Sequence, residues 1–229
     1  DYYNELGMKL STSKEQINVG VFHPIRSAYF EYKREEPGFN ISEFDQSFIN
    51  YLKMLGDNQI SYHLLDETIM AKHAEVNGSE LQVGLCKYKY IILPKMYTMD
   101  KTSEVLLRNY VANGGKILLL EDAPTYLEGT PHKYEYLKSN VTLEDIKKDQ
   151  PYHTSGAENV RISYRKDEKG NAFLYLVNLG EETSITINVD GYKSFKTNNT
   201  VISNTIHLDK WESFVLYLCN EKTDAEVAF

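Results

Sequence analysis

The sequence predicts an α/β domain, with a parallel sheet covered by helices on both faces, followed by a small antiparallel β-sandwich domain. The first part rests on a unit repeated between residues 17 and 122: a short apolar run, a polar turn and an amphipathic stretch. Short runs rich in Ile, Val and Leu that alternate with helical patterns are typical of buried parallel strands. The second part rests on a change to a period of two after residue 159, where short strands follow one another closely.

The elements of the α/β domain follow from these patterns in chain order. The predicted strands are the apolar runs at 17–22, 60–65, 88–93 and 116–121. The predicted helices cover 2–12, 42–56, 67 to about 74, 100–113 and, with a weaker pattern, 134–148.

Cap and turn residues set the limits of several elements. Ser42 is a candidate N-cap, Gly56 is a candidate helix end, and Asn113-Gly114-Gly115 is a strong stop signal. The pair Asn77-Gly78 predicts a type I′ turn in a small hairpin formed by 74–76 and 80–83.

A change of character at 149–159, which contains Pro151, Ser155 and Gly156, marks the predicted domain boundary. We therefore expect an α/β domain at 1–150, a β-sandwich domain at 151–220 and a linker stub at 221–229. The predicted strands of the sandwich are 160–165, 172–177, 184–189, 200–202, 205–208 and 213–218.

Composition bounds the classes of function. The 229 residues are enough for one or two hydrophobic cores, and the formal net charge of −8 gives no basic footprint for nucleic acid or an anionic membrane. Cys86 and Cys219 are too far apart in sequence to indicate a disulfide framework or a metal site, and no cofactor is expected. The first ten residues read as the middle of a helix, so we expect a piece of a longer protein whose compartment stays undecided.

The carboxyl ends of the strands are where a parallel α/β sheet binds ligands. Side chains suited to binding follow the predicted strands there, but they do not form a complete catalytic set. These candidates are His23, Arg26, Tyr29, Asp66, Glu67, Tyr97, Glu121 and Asp122.

The segment after the first strand excludes a dinucleotide fingerprint, since His23-Pro24 stands where a glycine-rich turn would be needed. The polar and aromatic residues 25–38 are expected to form a long loop, and loops of that length are usually functional or mobile. His23, directly before a proline, is more often a hydrogen-bonded turn residue than a general base.

Two acidic pairs, Asp66/Glu67 and Glu121/Asp122, follow strands that could be neighbours. A glycosidase needs two carboxyls about 5–9.5 Å apart. Acidic residues at strand–helix junctions are more often helix caps, and capping is the favoured interpretation here. An acyl-transfer cysteine is absent from the sequence after the fourth strand, so His132 further on has no nucleophile to activate.

Several phrases together resemble a known family. They are Asn18–Tyr29, His63–Glu67, Lys89–Pro94 and Val111–Lys116, joined by Ala172–Asn178 and Trp211–Tyr217 in the β domain. They are similar to the amidotransferase-like, flavodoxin-type accessory domain of multidomain glycoside hydrolases, of the β-galactosidase trimerisation type or the α-L-rhamnosidase-like type, with a small β domain after it.

This resemblance implies a catalytic TIM barrel upstream, with residues 1–10 similar to the helical exit from that barrel. Because the family's acid and nucleophile lie in the barrel, no catalytic residue is expected in this chain. The expected function is a non-catalytic accessory fragment of a bacterial glycoside hydrolase that packs on the barrel. Its strand-end residues would wall the sugar cleft by stacking and hydrogen bonding, or form a contact in a homo-oligomer.

Two other classes of function stay open on the sequence. One is a small hydrolase using Asp122 or Glu121 with His23, which a strongly raised carboxyl pKa in an enclosed pocket would indicate. The other is a stand-alone carbohydrate-binding or assembly module, which saturable binding of an oligosaccharide by this chain would indicate.

Overall fold

A computed structural model describes residues 2–32, 41–197 and 200–219. Its helices are α1 (Tyr2–Ser11), α2 (Ile25–Glu31), α3 (Ile41–Asp57), α4 (Glu67–His73), α5 (Lys101–Ala112) and α6 (Leu143–Lys148). None of these helices is both long and apolar enough to cross a membrane.

The first eleven strands are short and lie before residue 132. They are β1 (Ser13–Glu15), β2 (Val19–Phe22), β3 (His63–Leu65), β4 (Ala74–Asn77), β5 (Glu80–Val83), β6 (Cys86–Tyr88), β7 (Tyr90–Leu93), β8 (Thr98–Met99), β9 (Lys116–Leu119), β10 (Tyr126–Leu127) and β11 (Thr130–Pro131). The later strands are β12 (Tyr152–Ser155), β13 (Val160–Asp167), β14 (Ala172–Asn178), β15 (Thr183–Val189), β16 (Ser194–Thr197), β17 (Thr200–Ile202), β18 (Thr205–Leu208) and β19 (Ser213–Cys219).

The described chain divides into two compact units. The α/β unit takes the described residues of 17–55 and 60–147, and the β unit takes 2–16, 56–59 and the described residues from 148 onward. The sequence pattern assigns all of residues 1–150 to the α/β domain, whereas α1 and β1 belong to the β unit.

The α/β unit is built on a four-stranded parallel sheet in the order β3-β2-β7-β9. Successive residues of β7 face opposite sides of it. Ile91 and Leu93 belong to one apolar core, while Tyr90 and Ile92 belong to another. Since every residue of β7 is buried, the sheet is covered on both faces, as the sequence predicts.

Four predictions for this unit were wrong in detail. Residues 25–31 form α2 instead of a loop, and the remainder of the predicted loop, 33–38, lies outside the described residues. The run 88–93 is divided between β6, in a separate antiparallel sheet, and β7. The region 134–148 is helical only in α6. Ser42 lies one residue inside α3, so it does not precede the helix as an N-cap would, and its side chain lies outside the description.

The hairpin β4–β5 was predicted correctly, but its turn differs. Asn77 pairs with Glu80, so Gly78 and Ser79 occupy the two central positions. Gly78 has φ +58°, and Ser79 is not among the residues with positive φ. A left-handed residue at the first central position alone is the pattern of a type II′ turn, which demands glycine there.

The β unit is the predicted antiparallel sandwich. A six-stranded sheet in the order β1-β13-β14-β19-β16-β17 and a three-stranded sheet in the order β12-β15-β18 contribute to one apolar core. Three of its strands, β1, β12 and β16, were not predicted. The Gln59 side chain donates to the carbonyls of Ala157 (2.7 Å) and Val160 (2.9 Å) within this unit.

Candidate functional site

The strand ends of the α/β unit carry the predicted site residues, but the strand order separates the two acidic pairs. β3, which precedes Asp66 and Glu67, and β9, which precedes Glu121 and Asp122, are the opposite edges of the sheet. Three strand spacings amount to roughly 14 Å. The expectation that these strands could be neighbours was wrong, and the two pairs cannot flank one glycosidic bond.

Three of the side chains form what we call the arginine network: Arg26, Glu67 and Asp100. Arg26 Nη2 lies 2.6 Å from Asp100 Oδ2, and its Nε lies 3.5 Å from Glu67 Oε2. The other oxygen of Glu67 accepts a hydrogen bond from the Asp100 backbone N–H at 2.7 Å. The network therefore joins the first turns of α2 and α4 to the residue that precedes α5.

Burial governs the ionisation of this network. The Glu67 side chain is only 3% exposed, and this burial raises the pKa of its carboxyl. The Asp100 N–H bond and the Arg26 charge oppose the rise, while the negative charge of Asp100 adds to it. Burial also raises the pKa of Asp100, against the effect of Arg26.

Asp66 is a helix cap. Its Oδ1 accepts hydrogen bonds from the backbone N–H groups of Thr68 (2.9 Å) and Ile69 (3.1 Å), at the N-terminus of α4. The favoured interpretation of the sequence is thus confirmed for Asp66, because its side chain satisfies two otherwise unpaired donors.

The second group of side chains, which we call the acidic–aromatic cluster, consists of Glu31, Phe44, Tyr51, Tyr97 and Glu121. The Tyr97 and Phe44 ring centroids are 5.6 Å apart, and the Tyr97 hydroxyl hydrogen-bonds Glu31. The Tyr51 hydroxyl donates to Glu121. Two phenols and two carboxylates of this end of the sheet are thereby paired.

The negative charge of this cluster contributes to the raised pKa values of its two tyrosines. Burial raises the pKa of Tyr97 to about 12, with further contributions from the hydrogen bond to Glu31 and the charges of Glu31, Glu121 and Glu43. Burial and the hydrogen bond to Glu121 also raise the pKa of Tyr51. At neutral pH both tyrosines are hydroxyl donors beside carboxylate acceptors. The one cation near the Tyr97 ring in the described contacts is Lys95, whose Nζ lies 5.9 Å from the ring centroid.

A cavity of about 350 Å³ lies at the end of β2. The His23 and Phe48 ring centroids are 5.8 Å apart on its wall. The lining is mainly apolar and aromatic, with one imidazole and one carboxylate. Its residues are His23, Pro24, Ile25, Ala28, Phe44, Asp45 and Phe48. Phe44 belongs both to this lining and to the acidic–aromatic cluster, so the two features are continuous.

Helix α2 is held in place by a buried serine. Ser27 Oγ accepts from the backbone N–H groups of Tyr97 (2.8 Å) and Thr98 (3.3 Å). This anchoring leaves Tyr29 69% exposed, next to Phe30, which is 47% exposed. Asp122, which follows β9, is also exposed, and neither Tyr29 nor Asp122 belongs to the arginine network or to the acidic–aromatic cluster.

Several members of the site were missed. The aromatic residues Phe44, Phe48 and Tyr51 fall within the predicted helix 42–56, but they were not among the predicted site residues. A signal existed for Phe44 and Phe48, because a helix that follows a parallel strand starts at the carboxyl end of that strand, so residues in the first half of the helix lie near the ligand-binding end of the sheet. Glu31 and Asp100 gave no comparable signal.

Comparison with known proteins gives one match in sequence and several in structure. No family model matches the chain. A β-1,2-glucosyltransferase of Ignavibacterium album is 32% identical over 87 residues, which are 37% of this chain and 12% of that protein. The chain therefore spans only about an eighth of that relative.

The structural matches include two glycoside hydrolases described as GH42 and a further β-galactosidase. The apo exo-carrageenase of Bacteroides ovatus matches with a TM-score of 0.62 and 12% identity over 89% of this chain and 29% of that one. The catalytic mutant of Gan42B, a GH42 β-galactosidase of G. stearothermophilus, matches with a TM-score of 0.61 and 9% identity, over 90% of this chain and 40% of that one. The β-galactosidase of Bacillus circulans sp. alkalophilus matches with a TM-score of 0.60 and 12% identity, over 94% of this chain and 44% of that one.

These matches establish the fold. About nine-tenths of this chain corresponds to less than half of each of these enzymes. The fold of this chain is therefore that of a part of these enzymes, and it agrees with the fold that the resemblance in the sequence implies.

Proposed function

We propose that this chain is the non-catalytic accessory part of a larger bacterial glycoside hydrolase, in which an upstream TIM barrel carries out the reaction. The observation that carries the proposal is the structural match over about nine-tenths of the chain to a GH42 exo-carrageenase and two β-galactosidases, of which it spans 29–44%. The sequence match to a glucosyltransferase also points to carbohydrate chemistry.

The state of the carboxylates supports a non-catalytic role. Asp66 caps α4, and Glu67 is engaged by Arg26 and the Asp100 N–H. The small-hydrolase hypothesis relies on Asp122 or Glu121 with His23, whereas Glu67, whose carboxyl pKa is raised, is a different residue and is held in a structural network. Glu121, on the far edge of the sheet, accepts from Tyr51. These arrangements favour fold stabilisation over bond cleavage.

The cavity and the acidic–aromatic cluster support a role in walling a sugar site. Phe44 and Phe48 line the cavity with aromatic rings, and the neighbouring phenols and carboxylates offer the donors and acceptors that sugar hydroxyls need. The exposed rings of Tyr29 and Phe30 on α2 suit the other proposed role, a contact with the barrel or with a second subunit.

The first test is the mass of the native polypeptide, detected in its source cells with an antibody raised against this chain. The chain alone is 26.4 kDa. Because a TIM barrel needs about 250 residues, we expect a band at least roughly twice that mass. A band near 26.4 kDa would remove the barrel and overturn the proposal.

The second test compares two neighbouring residues of α3 in the whole enzyme. Phe48 lines the cavity, whereas Ile49 is 47% exposed and is absent from its lining. If the cavity walls the sugar site, Phe48→Ala should raise KM about tenfold with little change in kcat, and Ile49→Ala should change neither. Equal KM values in both variants would contradict a role of the cavity in substrate binding.

The third test separates docking from sugar binding. Tyr29→Ala should weaken subunit assembly, measured by analytical ultracentrifugation of the whole enzyme, if α2 forms an interface. If Tyr29→Ala left assembly unchanged while Phe48→Ala raised KM, the strand ends would serve the sugar site and not a subunit interface.

A stand-alone carbohydrate-binding module is the second candidate, and the aromatic lining of the cavity is the observation that favours it. Titration of this chain alone with oligosaccharides should then show saturable heat that Phe48→Ala abolishes.

A further inference from the structure

The pairing of β15 with β18 brings three metal-ligating side chains to one exposed row of the β unit. Ser184 and His207 are direct partners in this antiparallel pair. Their chain neighbours Ile185, Ile206 and Leu208 are buried, so Ser184 and His207 face solvent. Glu182 stands two residues before Ser184, and Asp209 stands two residues after His207. Alternation along the strands extends the exposed row to both carboxylates.

The distances within the row suit a shared ion. His207 Nε2 lies 3.0 Å from Glu182 Oε1 and 3.7 Å from Asp209 Oδ1, and one ligand atom from each residue lies within 4.8 Å of the others. A tetrahedral Zn²⁺ with bonds of about 2.0–2.2 Å separates its ligand atoms by roughly 3.3–3.6 Å. Small side-chain rotations would bring all three atoms to that separation.

The other ring nitrogen of His207 is already engaged. Its Nδ1 lies 3.2 Å from Ser184 Oγ. A partner on Nδ1 orients the ring and directs Nε2 toward the carboxylates, which is how histidine ligands of zinc are commonly fixed.

A buried amide holds the two segments that carry the carboxylates. Asn178 is fully buried, and its side-chain nitrogen donates to the carbonyls of Glu181 (2.8 Å) and Asp209 (2.9 Å). The neighbouring cation, Lys210, is ion-paired with Glu181. The segments are therefore tied together independently of any ion.

From this geometry we propose that Glu182, His207 and Asp209 bind a divalent transition-metal ion of the Zn²⁺ type. Two carboxylates and a neutral imidazole offset the charge of a divalent ion, and an imidazole ligand favours Zn²⁺ and its first-row neighbours over Ca²⁺ and Mg²⁺. Three protein ligands leave coordination positions for water or for an oxygen of a further ligand. This site lies in the β unit and does not depend on the proposed function of the α/β unit.

The test uses the untagged chain and its single tryptophan. Trp211 stands two residues from Asp209, so its fluorescence should be quenched when Ni²⁺ binds, and calorimetric titration with Zn²⁺ should show one saturable site. His207→Ala should weaken the affinity more than about tenfold, and Ser184→Ala should weaken it less.

His153→Ala is the matched control, because His153 is exposed on β12, the strand beside β15. It should leave the affinity unchanged, and Ca²⁺ should not displace Zn²⁺. The proposal would be overturned if Zn²⁺ did not saturate a site, or if His207→Ala left the affinity for Zn²⁺ intact. Either result would show that the three side chains form only an ion pair.

Discussion

The arginine network and the acidic–aromatic cluster both lie at the carboxyl ends of the strands of one parallel sheet, but they are built in different ways. In the network, a guanidinium spans two carboxylates, and one of these, Glu67, is almost fully buried. In the cluster, carboxylates are paired with phenol hydroxyls, and Glu121 stays exposed. A buried carboxylate needs a cation and hydrogen bonds, whereas an exposed one is stabilised by water.

The difference separates stability from binding at the strand ends. The network has its hydrogen bonds and charges committed to neighbouring helices, so its loss should affect folding. The cluster has exposed acceptors and ring faces beside a cavity, so its loss should affect ligands more than folding. The following variants test that division.

The largest expected effect is that of Arg26→Ala. Removing the cation leaves Glu67 and Asp100 facing each other, which for a fully buried pair costs about 3–5 kcal/mol. Because the Arg26 side chain is 46% exposed, we expect a smaller loss of about 2 kcal/mol in the free energy of unfolding.

Urea denaturation followed by circular dichroism measures this loss. Lys101→Ala is the control, since it removes an exposed cation from the first turn of α5. The urea midpoint followed by the fluorescence of Trp211, which reports on the β unit, should be the same in both variants as in the natural chain. Equal dichroism transitions for both variants would show that the network does not stabilise the unit.

The second effect is a pH dependence contributed by Glu67. Its folded-state pKa is raised, so its contribution to stability is present below the unfolded value of about 4.5 and is lost as pH rises through the higher folded value. In a Glu67→Gln variant the side-chain amide cannot ionise. The stability of the natural chain relative to this variant should therefore increase as pH falls from neutral toward about 4.5, measured by urea denaturation. A constant difference would mean that burial does not shift this carboxyl.

The smallest effect is expected in the acidic–aromatic cluster. Glu31→Gln should keep the hydrogen bond to the Tyr97 hydroxyl and remove repulsion with nearby carboxylates, so stability should change by less than about 0.5 kcal/mol. The pKa of Tyr97 should fall from about 12, which carbon-13 NMR of the ring would detect. A loss of stability comparable to that of Arg26→Ala would remove the distinction between the two regions.

The parts of the fold that could be predicted are those with local signals. The run 90–93 is apolar at every position, and Asn113-Gly114-Gly115 ends α5 where expected. β1 gave no such signal, because Ser13–Glu15 is polar and its partner, Arg165–Asp167, lies about 150 residues away. Helix α2 was missed because its mixture of polar and aromatic residues lacks a regular period.

The candidate site, like the fold, could be predicted only where local sequence signals existed. The strand ends could be located from the apolar runs, and Asp66 could be recognised as a cap because both depend on neighbours in sequence. Which ends lie side by side depends on strand order, which is set by tertiary packing. That is why the acidic pairs were expected to be close and are not, and why the link between Arg26 and Asp100 was not foreseen.

The pairing of β1 with β13 has a consequence for synthesis of the chain on the ribosome. The Arg165 guanidinium donates to the carbonyls of Leu10 and Ser13, and Ser163 donates to Glu15. Residues 2–16 leave the ribosome before the α/β unit and well before their partners in β13, so most of the α/β unit can fold in the interval. A truncation that starts at residue 17 would leave the donors of Arg165 and Ser163 without these acceptors, so aggregation of the β unit is the expected defect.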